Sequence, residues 1–328
     1  MLKLFKKMPG WLRKTFAVFL FALKIIPVVA LIAGIVFVVS MVNDHNAKQE
    51  ESSNAFSAIM AQKESIRNET SLRSPVTSEQ EFAQEPLDST YRVDFIDVGH
   101  GDCTVLTNGK DTMIIDAGDM AGGKVVAKYL RSYGITNISM LVATNENPEH
   151  IGGLSVLMES FDVETLVVPN LNSKNEAMKA CFEVAKDNNV EITSAKALDA
   201  WNVGQAQIQV LSSTQNLIIR ISIQDVSFLL MSDASLEEEL ALLKMEMDIS
   251  ATFLKASAHG AAKTSDKAFV KVIAPEYAVV SCDEDVLKPN IKSLNRLYDN
   301  TIVYRTDRYG TITVLTDGCD YSLTASNV

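Results

Sequence analysis

The sequence predicts an α/β protein of layered type, with two sheets packed together, helices outside, and one transmembrane helix ahead of them. Three observations carry this. Ile25 to Val42 is an uninterrupted apolar run, IIPVVALIAGIVFVVSMV, and about 18 or more such residues can cross a bilayer as a helix. From Tyr91 onward, short β-prone runs alternate with stretches of helical spacing. The alternation is mixed: hairpins lead, helices intervene, hairpins return and strand–helix units finish. That order suits two packed sheets better than one doubly wound sheet.

The N-terminal element comes first. Residues 1–24 carry Lys3, Lys6, Lys7, Arg13, Lys14 and Lys24 and no acid, and read as a basic, aromatic, interfacial segment on the cytoplasmic side. Residues 25–43 form the span, and Lys24 can snorkel to the interface. Bases before the span keep the N-terminus inside and place the body outside, anchored to the cell membrane by a single pass. A cleaved signal peptide is the alternative reading. The length of the apolar run and the lack of an Ala-x-Ala pattern close behind it favour a retained helix. Residues 44–90 are polar, with Pro75, Pro86 and scattered Ser and Thr, and read as a tether that includes a solvated His45.

The body, residues 91–328, then follows in order. YRVDFIDVG is β-prone, and CTVLTNGKDTMIIDAG reads as two strands joined at an Asn108-Gly109 turn. GGKVVAKYLRSYG has helical spacing and ends at Gly134. SMLVAT is a buried strand, IGGLSVLMESF opens a helix, TLVVPN is a strand and NEAMKACFEVAKDNN a helix. AQIQVLSS, NLIIRISIQ and VSFLLMSD are three consecutive strands. SLEEELALLKMEMD is a helix capped by Ser235, and its Glu237-Glu238-Glu239 run reads as a solvated helix start, where the dipole tolerates acids. ATFLKAS, YAVVSC, IVYRTD and TITVLTDG are strands, with helices at TSDKAFVKVIAP and KPNIKSLNRLYD between them.

Composition sets limits. Of 328 residues, 47% are hydrophobic and 22% charged, which is a folding composition. The formal net charge of −11 hides a basic head and an acidic body: from Tyr91 onward there are 20 basic and 32 acidic residues. Nucleic-acid affinity leans on Lys and Arg at phosphates, so charge does not support a polyanion partner. Four Cys without a Cys-x-x-Cys pair argue against a disulfide scaffold and a Cys-only zinc site. Cys103, Cys181, Cys282 and Cys319 read as buried small residues. Only His45, His100, His150 and His259 are available for histidine chemistry.

Candidate chemistry gathers at strand ends. Thr144 to Leu154, TNENPEHIGGL, lies between a strand and a helix; Met231-Ser232-Asp233 and Ala256-Ser257-Ala258-His259-Gly260 also follow strands. Glu149, His150, Asp233 and His259 together have metal-ligand chemistry, with Glu149 and Asp233 the candidate catalytic carboxylates.

The body resembles the metallo-β-lactamase domain of ComEC-type competence and DNA-internalisation proteins. Phe95-Ile96-Asp97-Val98-Gly99-His100-Gly101-Asp102 is similar to that family's Asp-Val-Gly-Gln-Gly-Asp opening, and Ile114-Ile115-Asp116-Ala117-Gly118 to its Leu-Ile-Asp-Gly-Gly turn. Thr144–Leu154 is similar to Thr-His-Pro-His-Ala-Asp-His-Ile-Gly-Gly-Leu. Met231-Ser232-Asp233-Ala234 resembles the Gly-Asp-Ala strand end, and Leu254–Gly260 resembles Leu-Lys-Val-Pro-His-His-Gly.

The resemblance implies an αββα sandwich with its site at one edge of the two sheets. It also implies a metal-dependent hydrolase, phosphodiesters in nucleic acid being one substrate class. The departures fall on the metal motif. Asn145 and Asn147 stand where the family has His, Glu149 where it has Asp, and Ala258 beside His259 where it has a His pair. The resemblance thus leaves one metal position dismantled and the other with Glu149, His150, Asp233 and His259. Asp97, His100, Asp102, Asp116, Asn145 and Asn147 become the site wall. Three readings follow: a two-metal hydrolase, a one-metal hydrolase, or a metal-poor pseudoenzyme that binds or scaffolds. The loss of several ligands favours the third. The expected cofactor is one divalent metal, zinc or manganese, or none.

Overall fold

The structure, a computed structural model, describes residues 90–327 apart from positions 100, 246, 287 and 300. The expected basic segment, span and tether up to residue 89 lie outside the described residues, as does His100. Among the described residues no helix is long and apolar enough to cross a membrane.

Alternation of side chains builds the first sheet. β1 (Tyr91–Phe95), β2 (Thr104–Thr107) and β3 (Thr112–Ile115) form an antiparallel meander. The turn from β2 to β3 falls at Asn108-Gly109: Asn108 Oδ1 accepts from the backbone N–H of Lys110 and Asp111, and Gly109 has φ +85°. β4 (Asn137–Val142), β5 (Asp162–Val168) and β6 (Glu191–Ser194) continue in parallel. β14 (Ile312–Thr316) and β15 (Tyr321–Ala325) close the other edge, giving the order β15-β14-β1-β2-β3-β4-β5-β6. In β3, Met113 and Ile115 face the second sheet while Ile114 faces the helices, the period-2 signature of a strand covered on both sides.

The covering helices are α1 (Met120–Ser132), α2 (Pro148–Ile151), α3 (Leu154–Ser160) and α4 (Glu176–Asp187). Val126, Leu130, Leu154, Leu157, Met178 and Cys181 join Ile114, Leu141 and Leu166 in one apolar cluster. Helices α1 and α3 touch at Gly123 and Gly153, where a Cβ on Gly153 would stand 2.1 Å from the Ala117 carbonyl oxygen. Only glycine permits that approach.

The second sheet is β13-β12-β11-β10-β9-β8-β7, comprising β7 (Ala200–Val203), β8 (Ala206–Ser213), β9 (Leu217–Ile223), β10 (Val226–Leu230), β11 (Phe253–Lys255), β12 (Tyr277–Val280) and β13 (Ile302–Arg305). Its first strands are antiparallel and β10 to β13 are parallel. Parallel neighbours need crossovers, and helices α5 (Leu236–Leu243), α6 (Lys267–Ile273) and α7 (Ile291–Tyr298) supply them. A short α8 (Thr306–Tyr309) follows β13.

The two sheets meet over a continuous core that includes Val93, Phe95, Leu106, Ile208, Ile221, Phe228 and Phe253. Phe253 stacks on Phe228 at 4.8 Å between centroids and on Tyr277 at 5.2 Å. Each of the two fully buried Phe rings contributes roughly 1.5–3 kcal/mol through burial. The result is the helix–sheet–sheet–helix layering expected from the sequence. The expected strands and helices are present, and three short strands with few buried residues (β6, β7 and β15) are additions.

Candidate metal centre

Loops leaving β1, β3, β4, β10, β11 and β12 meet at one edge of the sandwich, and backbone hydrogen bonds lace them together. Gly118 N–H donates to the Asp102 carbonyl, Asp102 N–H to that of Glu149, Ala117 N–H to that of His150 and Ala258 N–H to that of Ser232. At Gly101 (φ +135°) an added Cβ would lie 2.1 Å from the Glu149 carbonyl oxygen, so only glycine lets the loop after β1 lie this close to α2. Asp116, Ser232, Ala258 and His259 all have φ between +43° and +57°. A left-handed non-glycine residue costs about 1–2 kcal/mol, so these strand ends hold strain that the lacing must sustain.

Asp116, wholly buried, organises the first half. Its Oδ1 accepts from the Thr144 backbone N–H at 2.8 Å, and its Oδ2 accepts from the Thr144 hydroxyl at 2.6 Å. The same Oδ2 accepts from His150 Nδ1 at 2.7 Å. A carboxylate only accepts, so Nδ1 carries the proton and Nε2 turns into the site. His259 is held in the same sense: its Nδ1 donates to the Ser281 carbonyl at 3.1 Å, leaving Nε2 facing inward. The two rings lie 5.6 Å apart between centroids.

Between them sits Asp233. His150 Nε2 approaches its Oδ2 to 3.1 Å, and His259 Nε2 approaches its Oδ1 to 3.4 Å. Neither contact has hydrogen-bond alignment, and both ring nitrogens are buried without a hydrogen-bond partner. Ligands of a tetrahedral cation with bonds of about 2.0–2.1 Å stand roughly 3.3 Å apart. The separations match that spacing, and Asp102, His150 and His259 offer ligand atoms all within 4.8 Å of one another. This donor set, two imidazoles with carboxylates, fits one cation.

Buried Lys255 reaches Asp102 from β11, 2.7 Å from Oδ1 and 2.9 Å from Oδ2. Burial alone would raise the Asp102 pKa, but the Lys255 ammonium, then His259 and His150, bring it well below the ordinary carboxylate range. For His150, burial works toward a lower pKa. The adjoining Asp116 carboxylate, the approach of Asp233 and the charge of Asp102 overcome it and carry the imidazole well above its ordinary value. Burial likewise opposes, and His150 and His259 produce, a lowered Asp233 pKa.

The other side of Asp233 is made of amides. Asn147 Nδ2 donates to its Oδ2 at 2.6 Å and Asn145 Nδ2 at 3.2 Å. Asn145 Nδ2 also lies 3.1 Å from Ser232 Oγ and 3.3 Å from Asn216 Oδ1, while its own Oδ1 accepts from the Asn147 N–H. Asn216 passes the network to Glu238 at 3.0 Å, and Ser232 Oγ meets Thr144 Oγ1 at 2.6 Å. These donors occupy the carboxylate oxygen with N–H groups that bring no lone pair, so this side does not fit a second cation.

Of the residues singled out from sequence, the structure brings His150, Asp233 and His259 together, with Asn145 and Asn147 beside them. The Glu149 carboxylate is not in the group. Its side chain is half-buried and makes no hydrogen bond or ion pair among the described residues; what Glu149 gives the site is its carbonyl. Asp102 stands in the group instead. Asp97 is half-buried and accepts from the Gly99 N–H; burial, with Asp307 and Asp283 nearby, raises its pKa. The solvated reading of the three-glutamate run is corrected. Glu237 is exposed, but Glu238 forms a capping box with Ser235, and Glu239 is completely buried because the loop after β11 folds over it. In the sequence, Ser232 and Lys255 stand only as members of their strand-end motifs, with no role of their own, and Asn216 is not singled out. A charged residue inside the apolar run LKA was the available sign for Lys255.

Residues 96–283 match the family described as the metallo-beta-lactamase superfamily. The chain is 25% identical over 261 residues to ComE operon protein 3 of Bacillus subtilis, covering 70% of this chain and 34% of that protein. It is 22% identical over 197 residues to Recombination protein 2 of Haemophilus influenzae, covering 58% of this chain and 24% of that protein. The chain therefore spans about a third or less of these ComEC-type relatives. Among solved structures, the metallo-beta-lactamase fold protein YhfI of Bacillus subtilis aligns with a TM-score of 0.44 at 8% identity, over 65% of this chain and 96% of that one.

Proposed function

The chain belongs to the metallo-β-lactamase superfamily, and we propose that within it this chain is a membrane-anchored, extracytoplasmic module that binds or scaffolds a partner rather than hydrolysing a substrate. It holds at most one divalent cation, zinc or manganese. One observation carries the reading: Asp233 Oδ2 accepts from the amides of Asn147 and Asn145. Clamping both the attacking and leaving oxygens of an in-line displacement takes two cations about 3.5–4 Å apart. The asparagines close the second position with neutral donors, and Lys255 already neutralises Asp102. Anchoring rests on the apolar run at 25–43 and the bases ahead of it. The body's surplus of acids disfavours nucleic acid as the partner.

A second reading, a one-metal hydrolase of ComEC-like type acting on phosphodiesters, is favoured by the two buried ring nitrogens without a hydrogen-bond partner, His150 Nε2 and His259 Nε2. A cation held by His150, His259, Asp233 and Asp102 would supply a bound water of lowered pKa. The chain's own residues do the rest: Asp116 and the Ser281 carbonyl fix which ring nitrogen faces inward, and Lys255 keeps Asp102 ionised.

Metal analysis of the full chain purified in detergent, with a model phosphodiester assay on the same sample, tests both. One cation or fewer and no cleavage is expected. One cation with cleavage that a His259→Gln substitution abolishes selects the second reading. Two cations with turnover sink both.

A further inference from the structure

The glutamate run at the start of α5 leads to a role beyond the cation site itself. Glu239 is completely buried, yet no Lys, Arg or His among the described residues pairs with it. Its carboxylate is satisfied by three donors from one loop: Ser257 Oγ at 2.7 Å, the Ser265 N–H at 2.7 Å and the Asp266 N–H at 3.0 Å. These donors sit at the two ends of the segment 257–266, so one side chain ties its beginning to its end. Within the segment, Ala258, His259 and Ser265 are all left-handed. From the other side, Arg296 of α7 donates to the carbonyls of Ala262, Thr264 and Ser265. The loop is thus clamped by an acceptor taking its N–H and O–H groups and a donor taking its carbonyls.

We infer that Glu239 is a positioning residue for His259: it does not touch the site, but fixes the loop that aims the His259 ring into it. The reason is geometric. Ser257 is two residues before His259, and an unclamped loop would relax its left-handed residues toward ordinary backbone, turning the ring away from Ser281 and Asp233. A packing role alone predicts something else, a loss of stability with the ring unmoved. The same helix caps with Glu238, whose partner Asn216 leads to Asn145, so the first turn of α5 serves both sides of Asp233. The functional consequence rests on the proposed cation site; the positioning itself does not.

The test uses the full chain in detergent, treated with chelator and labelled with nitrogen-15 in its four histidines. The His259 ring signals are assigned by their disappearance in His259→Gln. With its ring neutral, His259 is expected as the single tautomer with Nδ1 protonated, the one that donates to the Ser281 carbonyl. In Glu239→Gln, the amide group must turn a donor toward one of the loop's donors. The expected result is a mixed tautomer at His259 with the His150 signals unmoved. A graded companion, Ser257→Ala, deletes one of the three bonds and should move His259 in the same direction by less; it also serves if Glu239→Gln does not fold. His259 signals unchanged in a variant that still melts cooperatively overturn the inference. Cobalt uptake by the same samples should weaken about tenfold or more in Glu239→Gln. A wild-type chain that takes up no cobalt breaks the cation site and leaves the ring signals to decide this inference.

Discussion

Asp233 has two sides, and they are built from opposite chemistries. On one, His150 and His259 bring ring nitrogens to 3.1 and 3.4 Å without hydrogen-bond alignment, beside an Asp102 that a buried lysine keeps ionised. On the other, Asn145 and Asn147 bring aligned amide donors, with Ser232, Asn216 and Glu238 behind them. The first arrangement leaves buried polar atoms unpaired, which costs about 1–3 kcal/mol each unless a proton or cation intervenes. The second is satisfied as it stands. The difference teaches that the asparagines at 145 and 147 leave no gap: their amides are part of a connected network, so one side of the carboxylate asks for charge and the other does not.

The largest expected effect lies on the charged side. Lys255→Met would leave Asp102 buried with only the imidazoles near it among the described residues, His259 at 3.5 Å and His150 beyond. Removing one partner of a buried pair costs about 3–5 kcal/mol, readable by urea unfolding of the chelated chain. Adding Asp102→Asn to that variant should recover part of the loss. A single variant as stable as wild type would mean that the pair is not what holds this side.

Converting the amide side is the next test. Asn145→His with Asn147→His takes donors from Asp233, Ser232 and Asn216 at a cost of about 1–3 kcal/mol, while raising metal content toward two per chain. Content staying at one or below would show that the surrounding network, and not the two amides, excludes the second cation.

The His150 shift gives a pH signature to the charged side. Its folded pKa lies above the ordinary 6.5. The stabilisation is therefore complete below about 6.5 and is lost as pH rises toward and through the folded value. In chelated protein, stability should fall with rising pH across that window, by up to about 1.4 kcal/mol per unit, and His150→Gln should flatten the slope. Stability rising over the same window in the wild type would contradict the account of the charged side. The smallest effect is expected for Asn147→Ala. It removes one exposed donor from Asp233, should cost about 1 kcal/mol or less, and should leave metal content unchanged.

Local signals carried much of the fold. Asn108-Gly109 marked the turn from β2 to β3 because that dipeptide suits the tight hairpin, and Gly134 marked the end of α1 because a positive φ is cheap there. Short continuous apolar runs gave the strands that are covered on both faces. They did not give β6, β7 or β15, whose short, half-exposed runs (EITS, AWNV and YSLTA) bury too little to leave a pattern. At the site, strand ends followed by His or Asp were legible at His150, Asp233 and His259.

What the sequence determined by itself was therefore the layered α/β order, the charge division between head and body, and the residue types at each strand end. These follow from local periodicity and chemistry, which neighbouring residues express together. Which side chains share the site was decided only by the tertiary structure. Asp102 and Lys255 meet across 153 positions. Glu239 becomes a buried clamp because a loop 18 to 27 positions further on closes over it. Asn145 becomes a network node through Asn216, 71 positions away. No local window contains such pairs: burial removes the water that would otherwise satisfy each group, and only the packed sheets determine which partner takes its place.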